Sequence, residues 1–142
     1  MSQILVVEDD RPTHALLVTL VRRCGCDPWS AFDGASALRR IRGEALDGML
    51  LDLLLPSVNG FEILREVKST VPDLLGKTLV VTAAAESTYH DCEEIRQVRG
   101  LFRKPFDIQG LEDEILQMLR GDALEPPLQR ARTGGSMRLK IV

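Results

Sequence analysis

Short apolar runs alternate with longer segments along the chain. Four such runs are separated by segments long enough for helices: residues 4–7, 49–51, 77–82 and 100–103. Near-continuous apolar runs of this length are typical of strands buried in a parallel sheet. Residues 27–31 form a weaker strand, which we place at a sheet edge because Pro28 has no N–H to donate. The pattern predicts an α/β fold of five β-α units, with right-handed crossovers and helices on both sheet faces.

The intervening segments predict five helices: residues 12–23, 35–41, 59–71, 86–98 and 108–119. The first, third and fifth place their apolar residues on one face, and we expect Val71 and Ile108 to be among the buried ones. The helix at 86–98 is polar and the least amphipathic of the set. Pro12 suits the first turn of the first helix, and Asp107 is the expected N-cap of the last.

The length of 142 residues supports one domain with a proper core. No apolar run is long enough to span a membrane and no secretory signal is visible, so we expect a cytoplasmic protein without membrane insertion. Residues 1–120 carry 14 basic and 19 acidic side chains, a balance that argues against nonspecific nucleic-acid binding. Beyond the domain, taken as residues 1–121, residues 122–142 are mildly basic and resemble a linker.

Three cysteines occur in the chain, and two of them form a C-x-C motif, Cys24 and Cys26. With His90, two residues before Cys92, they raise the question of a zinc site. Zinc needs four placed ligands, and Cys92 is expected on the opposite face of the sheet from the other two cysteines. Free thiols are therefore the preferred interpretation.

Carboxylates follow two of the apolar runs. Glu8 and Asp9 come directly after the first run, and Asp52 follows the run at 49–51. Ligands of parallel α/β sheets bind beyond the carboxyl ends of the strands, so we expect these carboxylates to meet there. Three carboxylates so close repel one another unless a cation lies among them, and oxygen ligands favour Mg²⁺. Asp10, by contrast, is interpreted as a helix cap.

A lysine and a hydroxyl end the other two runs. Lys104 lies between a strand and Pro105, a restricted placement from which its ammonium can bridge Asp52 and a phosphoryl oxygen. Thr82 can donate its hydroxyl to the same group, and the alanines at 83–85 leave a backbone amide free to point at it. The four strand ends together indicate a site for a divalent cation and a phosphoryl group.

This set of residues resembles the receiver domain of the two-component response regulator family. The resemblance covers about residues 2–120 and rests on these motifs: Glu8-Asp9, Asp52 with Pro56 and Gly60, Thr82-Ala83, Lys104-Pro105-Phe106, and Ser30-Ala31-Phe32-Asp33-Gly34 with Ala37-Leu38. It implies a flavodoxin-like fold, a doubly wound five-stranded parallel sheet with strand order 2-1-3-4-5.

The resemblance also implies how the carboxylates act. Asp52 would be the phosphoacceptor, attacking a phosphohistidine on a histidine kinase or histidine phosphotransfer protein. Asp9, Asp52 and the backbone carbonyl of Leu54 would bind Mg²⁺ directly. Glu8 would act through a metal-bound water.

The remaining strand ends would hold the phosphoryl oxygens. Thr82, the backbone amide of Ala83 and Lys104 are the implied contacts, and the Lys104–Pro105 peptide would be cis as in the family. Catalysis would consist of positioning and charge neutralisation. The chain would then be no enzyme beyond its own phosphotransfer and slow self-dephosphorylation.

The chain departs from the family at three positions. Where the family often has Tyr or Phe, three residues before the lysine, it has Leu101; the aromatic Phe102 comes one place later and should point to the opposite face. This departure argues against the usual aromatic-rotamer switch. The positions two past the phosphoacceptor and two past the threonine are Leu54 and Ala84, and neither side chain can orient a hydrolytic water by hydrogen bonding.

Other functional classes fit the sequence less well. A haloacid-dehalogenase-like phosphatase needs a second Asp where Leu54 stands, and a P-loop protein needs a glycine-rich motif that the chain lacks. A pseudo-receiver that serves as an interaction module without phosphorylation is the main rival, and a receiver fragment of a hybrid histidine kinase is another possibility. Because no DNA-binding effector domain follows, we expect signalling through contact with a downstream target protein.

The last residues of the tail alternate apolar and basic side chains. Met137, Leu139 and Ile141 share one side of an extended segment. They can add a strand to an exposed sheet edge, and the fifth-strand side is preferred because Pro28 weakens the other edge. A tail without a structural role is the alternative.

Overall fold

Six parallel strands form one sheet in the computed structural model, which describes residues 1–121 and 139–141. The strands are β1 (Gln3–Val7), β2 (Asp27–Ala31), β3 (Gly48–Leu51), β4 (Thr78–Thr82), β5 (Gly100–Arg103) and β6 (Leu139–Ile141). Their order is β2-β1-β3-β4-β5-β6. The predicted order 2-1-3-4-5 is therefore confirmed, and β2 lies at the edge where Pro28 needs no partner for its nitrogen.

The sixth strand comes from the tail. It pairs with β5, and Leu139 lies opposite Leu101 while Ile141 lies opposite Arg103. This placement agrees with the expectation that the tail adds a strand on the fifth-strand side. The rest of the predicted tail, residues 122–138 and 142, lies outside the described residues, and so does the expectation for Met137.

The helices pack on both faces of the sheet. They are α1 (Arg11–Arg23), α2 (Gly34–Gly43), α3 (Gly60–Thr70), α4 (Glu86–Tyr89) and α5 (Ile108–Leu119), with short 3-10 helices at Pro72–Lys77 and Glu93–Arg96. Asp107 occupies the N-cap position of α5 as expected, although its side chain makes no capping hydrogen bond. Within the described ranges, no helix combines the length and the apolar character needed to cross a membrane.

Each face of the sheet has its own apolar core, because successive strand residues point to opposite sides. In β1, Ile4 and Val6 pack with residues of α1 and α5, whereas Leu5 and Val7 pack with residues of α2 and α3. Two residues expected in the core lie outside it. Val71 is 37% exposed and Ile108 is 44% exposed, because each stands at or just beyond the end of its helix.

The predicted helix at residues 86–98 is wrong. The chain forms only one turn of α-helix, α4, followed by the 3-10 helix Glu93–Arg96. Tyr89 and Ile95 are both buried in the core, yet six helical residues would place them about 120° apart on a straight helix. Lys68 on α3 also pairs with Glu93 and draws the 3-10 helix toward α3. Burial of both side chains and this ion pair favour the broken geometry.

The cysteines are free thiols, as expected. Cys24 packs against the core on the α1 side of the sheet, and Cys92 packs against the core on the other side. Burial raises the pKa of the Cys24 thiol to about 11, so this sulfur is protonated at neutral pH. In the described part of the chain, Cys24 and Cys92 thus lie on opposite sides of the sheet and do not belong to one zinc site.

Candidate functional site

The sheet register brings the predicted site residues to one rim. Val7 and Leu51 are paired in neighbouring strands, so Glu8 and Asp52, the next residue of each strand, leave the sheet side by side. The backbone ladder continues past both strand ends: Asp52 N–H donates to the Val7 carbonyl at 3.1 Å. The position of Asp52 is therefore fixed by β1 as well as by its own strand.

A glycine lies directly behind this position. A Cβ atom on Gly60 would lie 2.5 Å from Leu53 Cα and 2.6 Å from the Asp52 carbonyl oxygen. Only glycine allows α3 to begin so close to the end of β3. Asn59 and Glu62 then fix the start of α3 through a capping box, in which each side chain accepts from the other residue's backbone N–H.

The three carboxylates converge as the sequence predicts. Glu8, Asp9 and Asp52 each offer a carboxylate oxygen, and these atoms all lie within 4.8 Å of one another. Glu8 is fully buried and Asp52 is nearly so, while Asp9 is exposed. The cluster therefore opens to solvent on the side of Asp9.

Lys104 lies against the buried part of this cluster. Its Nζ is 2.7 Å from Glu8 Oε1 and 3.1 Å from Asp52 Oδ2. Its own backbone N–H donates to the Thr82 carbonyl at 2.9 Å, which ties Lys104 to the end of β4. The Lys104–Pro105 peptide bond is cis, as expected.

Burial and charge act in opposite directions on this pair. Burial raises the pKa of Glu8, and the hydrogen bonds from Lys104 and the Asp10 backbone offset only part of that rise. Burial alone would lower the pKa of Lys104, but the hydrogen bond to Glu8 and the charge of Asp52 outweigh it, and the pKa rises. The site therefore has a lysine that stays charged and a glutamate whose ionised form any further positive charge would stabilise.

Thr82 and the residues after it form the fourth side of the site. Thr82 is buried at the end of β4, and its hydroxyl accepts the Ala84 N–H at 3.1 Å. Ala83 is exposed between them. In the part of the chain that the structure describes, the Thr82 hydroxyl makes no hydrogen bond to Asp52 or Lys104, so it is brought near the rim but not into this network.

The backbone of Leu54 contacts the carboxylate cluster. Its N–H donates to Asp52 Oδ1 at 3.0 Å, while its side chain is 50% exposed. Asp10 serves as the N-cap of α1, as predicted: its carboxylate accepts from Thr13 N and Thr13 Oγ1. These hydrogen bonds from Thr13 lower the pKa of Asp10, and they assign Asp10 to the helix rather than to the carboxylate cluster.

Leu101 and Phe102 point to opposite faces of the sheet, as expected. Leu101 is 3% exposed and belongs to the same core as Tyr89, whereas Phe102 packs in the other core. Among the described residues, Tyr89 is the buried aromatic residue in the same core as position 101, and the partly buried Trp29 and Phe61 pack against that core. Tyr89 comes from α4 and not from β5.

His14 is a residue near the site that the sequence reading missed. It is buried on α1, and its ring lies 2.9 Å from the Glu8 carbonyl oxygen through Nδ1. Its position, three residues before the buried Leu17 and seven before Val21, is on the buried face of α1. Helical periodicity alone was thus enough to place it toward the core.

The donor set fits Mg²⁺. Hard oxygen ligands in a cluster that is buried on one side and open on the other suit a cation that keeps several waters. The rise in the Glu8 pKa is a second sign of fit, because a cation beside this buried carboxylate would relieve it. Glu8, Asp9 and Asp52 are the carboxylates available to hold the ion.

Comparison with known proteins gives consistent results. The chain is 29% identical over 119 residues to the Response regulator receiver protein CpdR of Brucella abortus (strain 2308), covering 84% of this chain and 98% of that protein. It is 31% identical over 120 residues to the Sporulation initiation phosphotransferase F of Bacillus subtilis (strain 168), covering 83% and 94%. Other relatives are longer: the chain spans 53% of the Response regulator ArlR of Staphylococcus saprophyticus.

Solved structures of the same fold include the receiver domain of sensor histidine kinase PA1611 from Pseudomonas aeruginosa PAO1, described with a magnesium ion coordinated in its active site cleft. It matches with a TM-score of 0.73 and 25% identity, covering 84% of this chain and 98% of that one. The sequence profile of the response regulator receiver domain matches residues 4–116, most of the chain. The chain belongs to the response regulator receiver domain family of two-component systems.

Proposed function

We propose that the protein accepts a phosphoryl group on Asp52 in a Mg²⁺-dependent reaction and signals through contact with a target protein. The observation that supports this most is the position of Lys104 Nζ, 3.1 Å from Asp52 Oδ2, at a rim that also carries three converging carboxylates. The donor would be a phosphohistidine of a histidine kinase or phosphotransfer protein. The name of the Bacillus relative, a phosphotransferase, supports a place in such a relay.

In this reaction the protein would mainly position the reacting groups and neutralise charge. An Asp52 oxygen forms a bond to phosphorus as the phosphorus–nitrogen bond of the donor breaks, and the leaving imidazole takes up a proton. Asp9, Asp52 and the Leu54 carbonyl would hold Mg²⁺, with Glu8 acting through water. The bound ion would supply positive charge opposite the phosphoryl oxygens.

The chain's own groups then hold the phosphoryl oxygens. Lys104 would exchange its contact with Asp52 for one with a phosphoryl oxygen while keeping Glu8 as a partner. The Thr82 hydroxyl accepts one hydrogen bond, from Ala84, and its own proton is available to donate to the phosphoryl group. The exposed Ala83 offers its backbone N–H.

We further propose that this phosphotransfer and a slow self-dephosphorylation are the only reactions of the domain at residues 1–121. Leu54 and Ala84 stand at the two positions from which a side chain would orient an attacking water, and neither can form a hydrogen bond through its side chain. Signalling would therefore depend on a partner that reads the phosphorylated state.

The test is labelling by acetyl phosphate with Mg²⁺, followed by intact-mass analysis. We expect one phosphoryl group on wild type, none on Asp52→Asn, and wild-type labelling of Asp47→Asn, a matched control at the other end of β3. Asp9→Ala should lose the Mg²⁺ dependence of both labelling and melting temperature. Equal labelling of wild type and Asp52→Asn contradicts the assignment, and no labelling of any protein favours the alternative, an interaction module without phosphorylation.

A further inference from the structure

The His14 ring is held at both of its nitrogens. Nδ1 lies 2.9 Å from the Glu8 carbonyl oxygen and Nε2 lies 2.8 Å from the Ser30 hydroxyl. A carbonyl oxygen can only accept, so Nδ1 carries the proton and donates. In the neutral ring, Nε2 then has no proton and accepts from the Ser30 hydroxyl. The contacts thus select one neutral tautomer of this ring.

Aromatic contacts fix the plane of the same ring. His14 stacks on Phe32 with ring centroids 4.1 Å apart, and the Arg11 guanidinium carbon lies 3.9 Å from the Phe32 centroid. His14 itself is only 4% exposed. The imidazole therefore has little freedom to turn away from the Glu8 carbonyl.

This carbonyl belongs to the peptide that joins the buried Glu8 to the exposed Asp9. On its amino side, Glu8 is held by the sheet, since its N–H donates to the Ala31 carbonyl at 3.1 Å. On its carboxyl side, the chain leaves β1, and the His14 Nδ1–H holds the carbonyl there. The orientation of this peptide determines the position of the Asp9 Cα and therefore the direction in which the Asp9 side chain leaves the backbone.

We propose that His14 is a positioning residue for the metal site: its Nδ1–H fixes the Glu8–Asp9 peptide so that Asp9 faces Asp52. The inference rests on the proposed function only for the identity of the bound ion. Groups that orient metal ligands without touching the metal commonly change metal affinity by about 10- to 100-fold when they are removed. Ser30 acts one step further out, by donating its hydroxyl to the unprotonated Nε2 of His14.

Two substitutions of His14 separate this role from simple packing. In His14→Asn the amide nitrogen reaches the place of Nδ1 and can still donate to the Glu8 carbonyl. In His14→Gln the longer side chain places its amide near Nε2, where it meets Ser30 instead. Both variants lose the stacking on Phe32 and similar volume, so they differ mainly in which of the two hydrogen bonds they keep.

The measurement is Mg²⁺ affinity of the full chain, from amide chemical shifts in an NMR titration with MgCl₂. We expect His14→Gln to bind Mg²⁺ about tenfold more weakly than wild type, and His14→Asn to stay within about twofold. Urea unfolding in EDTA should give the two variants equal stability. Equal Mg²⁺ affinities for the two variants, or a loss of affinity that follows their loss of stability, overturn the proposal.

A further measurement needs no variant and covers the case in which His14→Gln does not fold. In wild type, the imidazole nitrogen shifts of His14 should show the proton on Nδ1, and the Nδ1–H resonance should move when Mg²⁺ is added. A proton on Nε2, or an Nδ1–H resonance that ignores Mg²⁺, contradicts the assignment.

Labelling of the same samples separates this proposal from the proposed function. At saturating Mg²⁺, His14→Gln should reach the labelling rate of wild type, because its defect lies in binding the ion. If wild type binds Mg²⁺ but is never labelled, the phosphoacceptor assignment fails while the role of His14 is still decided by affinity. If wild type is labelled and both variants bind Mg²⁺ equally, the role of His14 fails alone.

Discussion

Two regions of the molecule both follow the carboxyl ends of strands, but different kinds of contact fix their positions. The rim around Lys104 and the segment at residues 83–98 both start at the carboxyl ends of strands. At the rim, the backbone ladder itself extends past the strand ends to Asp52 and Lys104. After β4, α4 has no side-chain cap at Ala85, and an exposed ion pair joins Lys68 of α3 to Glu93 of the 3-10 helix that follows. Positions set by sheet register are fixed, whereas positions set by surface contacts can change.

The largest effect should come from removing the cation of the rim. Lys104→Met leaves Glu8 and Asp52 facing each other without their ammonium partner. We expect a loss of about 2 kcal/mol in unfolding free energy without Mg²⁺, less than for a fully buried pair because Lys104 retains 21% side-chain exposure. Labelling of Asp52 should fall about a hundredfold.

Urea unfolding at neutral pH measures the stability term, and added Mg²⁺ should recover part of the loss. Lys77→Met, which removes an exposed lysine at the other end of β4, is the matched control and should change neither quantity. If Lys104→Met is as stable as wild type, the rim is no better fixed than the segment after β4, and the comparison fails.

The pH dependence of stability sharpens the same comparison. Burial raises the pKa of Glu8 above its ordinary value of 4.5, so the folded protein holds this proton more tightly than the unfolded chain does. The contribution of Glu8 to stability is therefore fully present below pH 4.5 and is lost as the pH rises through the folded pKa. Because Lys104→Met raises this pKa further, its deficit relative to wild type should grow from pH 4.5 to pH 7. A deficit that is constant over this range contradicts the role of Glu8.

The next effect concerns the segment at 83–98. Since this segment follows Thr82 and Ala83 directly and α4 has no side-chain cap, phosphoryl binding at Thr82 and Ala83 should be transmitted there first. Beryllofluoride with Mg²⁺, a phosphoryl mimic, should change hydrogen exchange of its amides by about tenfold, within the usual range of coupling energies. Asp52→Asn is the control and should show no change. A response confined to α5 would instead assign the switch to the opposite face of the sheet.

The sequence was sufficient to predict the fold and the convergence of the rim residues, because both depend on local patterns of apolar residues. It was insufficient to predict the structure of residues 83–98, which depends on contacts with other elements. Strand ends follow from the apolar runs, and Pro28 places β2 at a sheet edge, while the full strand order is implied by the resemblance to the receiver family. The strand ends place the carboxylates and Lys104 together. The geometry after β4 depends on contacts of Tyr89, Ile95 and Lys68 with other elements, which helical periodicity does not contain. The contact of His14 with Glu8 was missed differently, because the reading of α1 followed only its apolar residues.

A single added N-cap should make the segment after β4 more stable, and so more similar to the rim. α3 begins with a capping box, whereas Ala85 at the start of α4 offers no side-chain acceptor. Ala85→Ser adds a hydroxyl at a residue with extended backbone and should stabilise α4 by about 0.5–1 kcal/mol. Slower exchange of the amides of residues 87–90 is the readout, and Ala85→Val, which adds bulk without an acceptor, is the control. Equal exchange in both variants would mean that capping does not limit α4.

The smallest effect should come from the tail. β6 pairs with β5 over three residues, and this short strand must offset the entropy of closing the chain between Leu119 and Leu139. Truncation after Gly121 should therefore change the unfolding free energy by less than about 0.5 kcal/mol and leave labelling unchanged, because residues 1–121 already supply a large buried core on each face of the sheet.

The local readout of the truncation is more sensitive than its global one. Exchange of the β5 amides that face β6, at Leu101 and Arg103, should rise a few-fold because their partner strand is gone, while exchange in β1 should not change. Light scattering should give the same mass for the full and truncated chains if β6 adds to its own sheet. A mass that falls on truncation would show that the tail strand pairs with β5 of a second copy. In that case the edge beside Lys104 would be a contact between molecules, and the rim, not only the segment after β4, would respond to association.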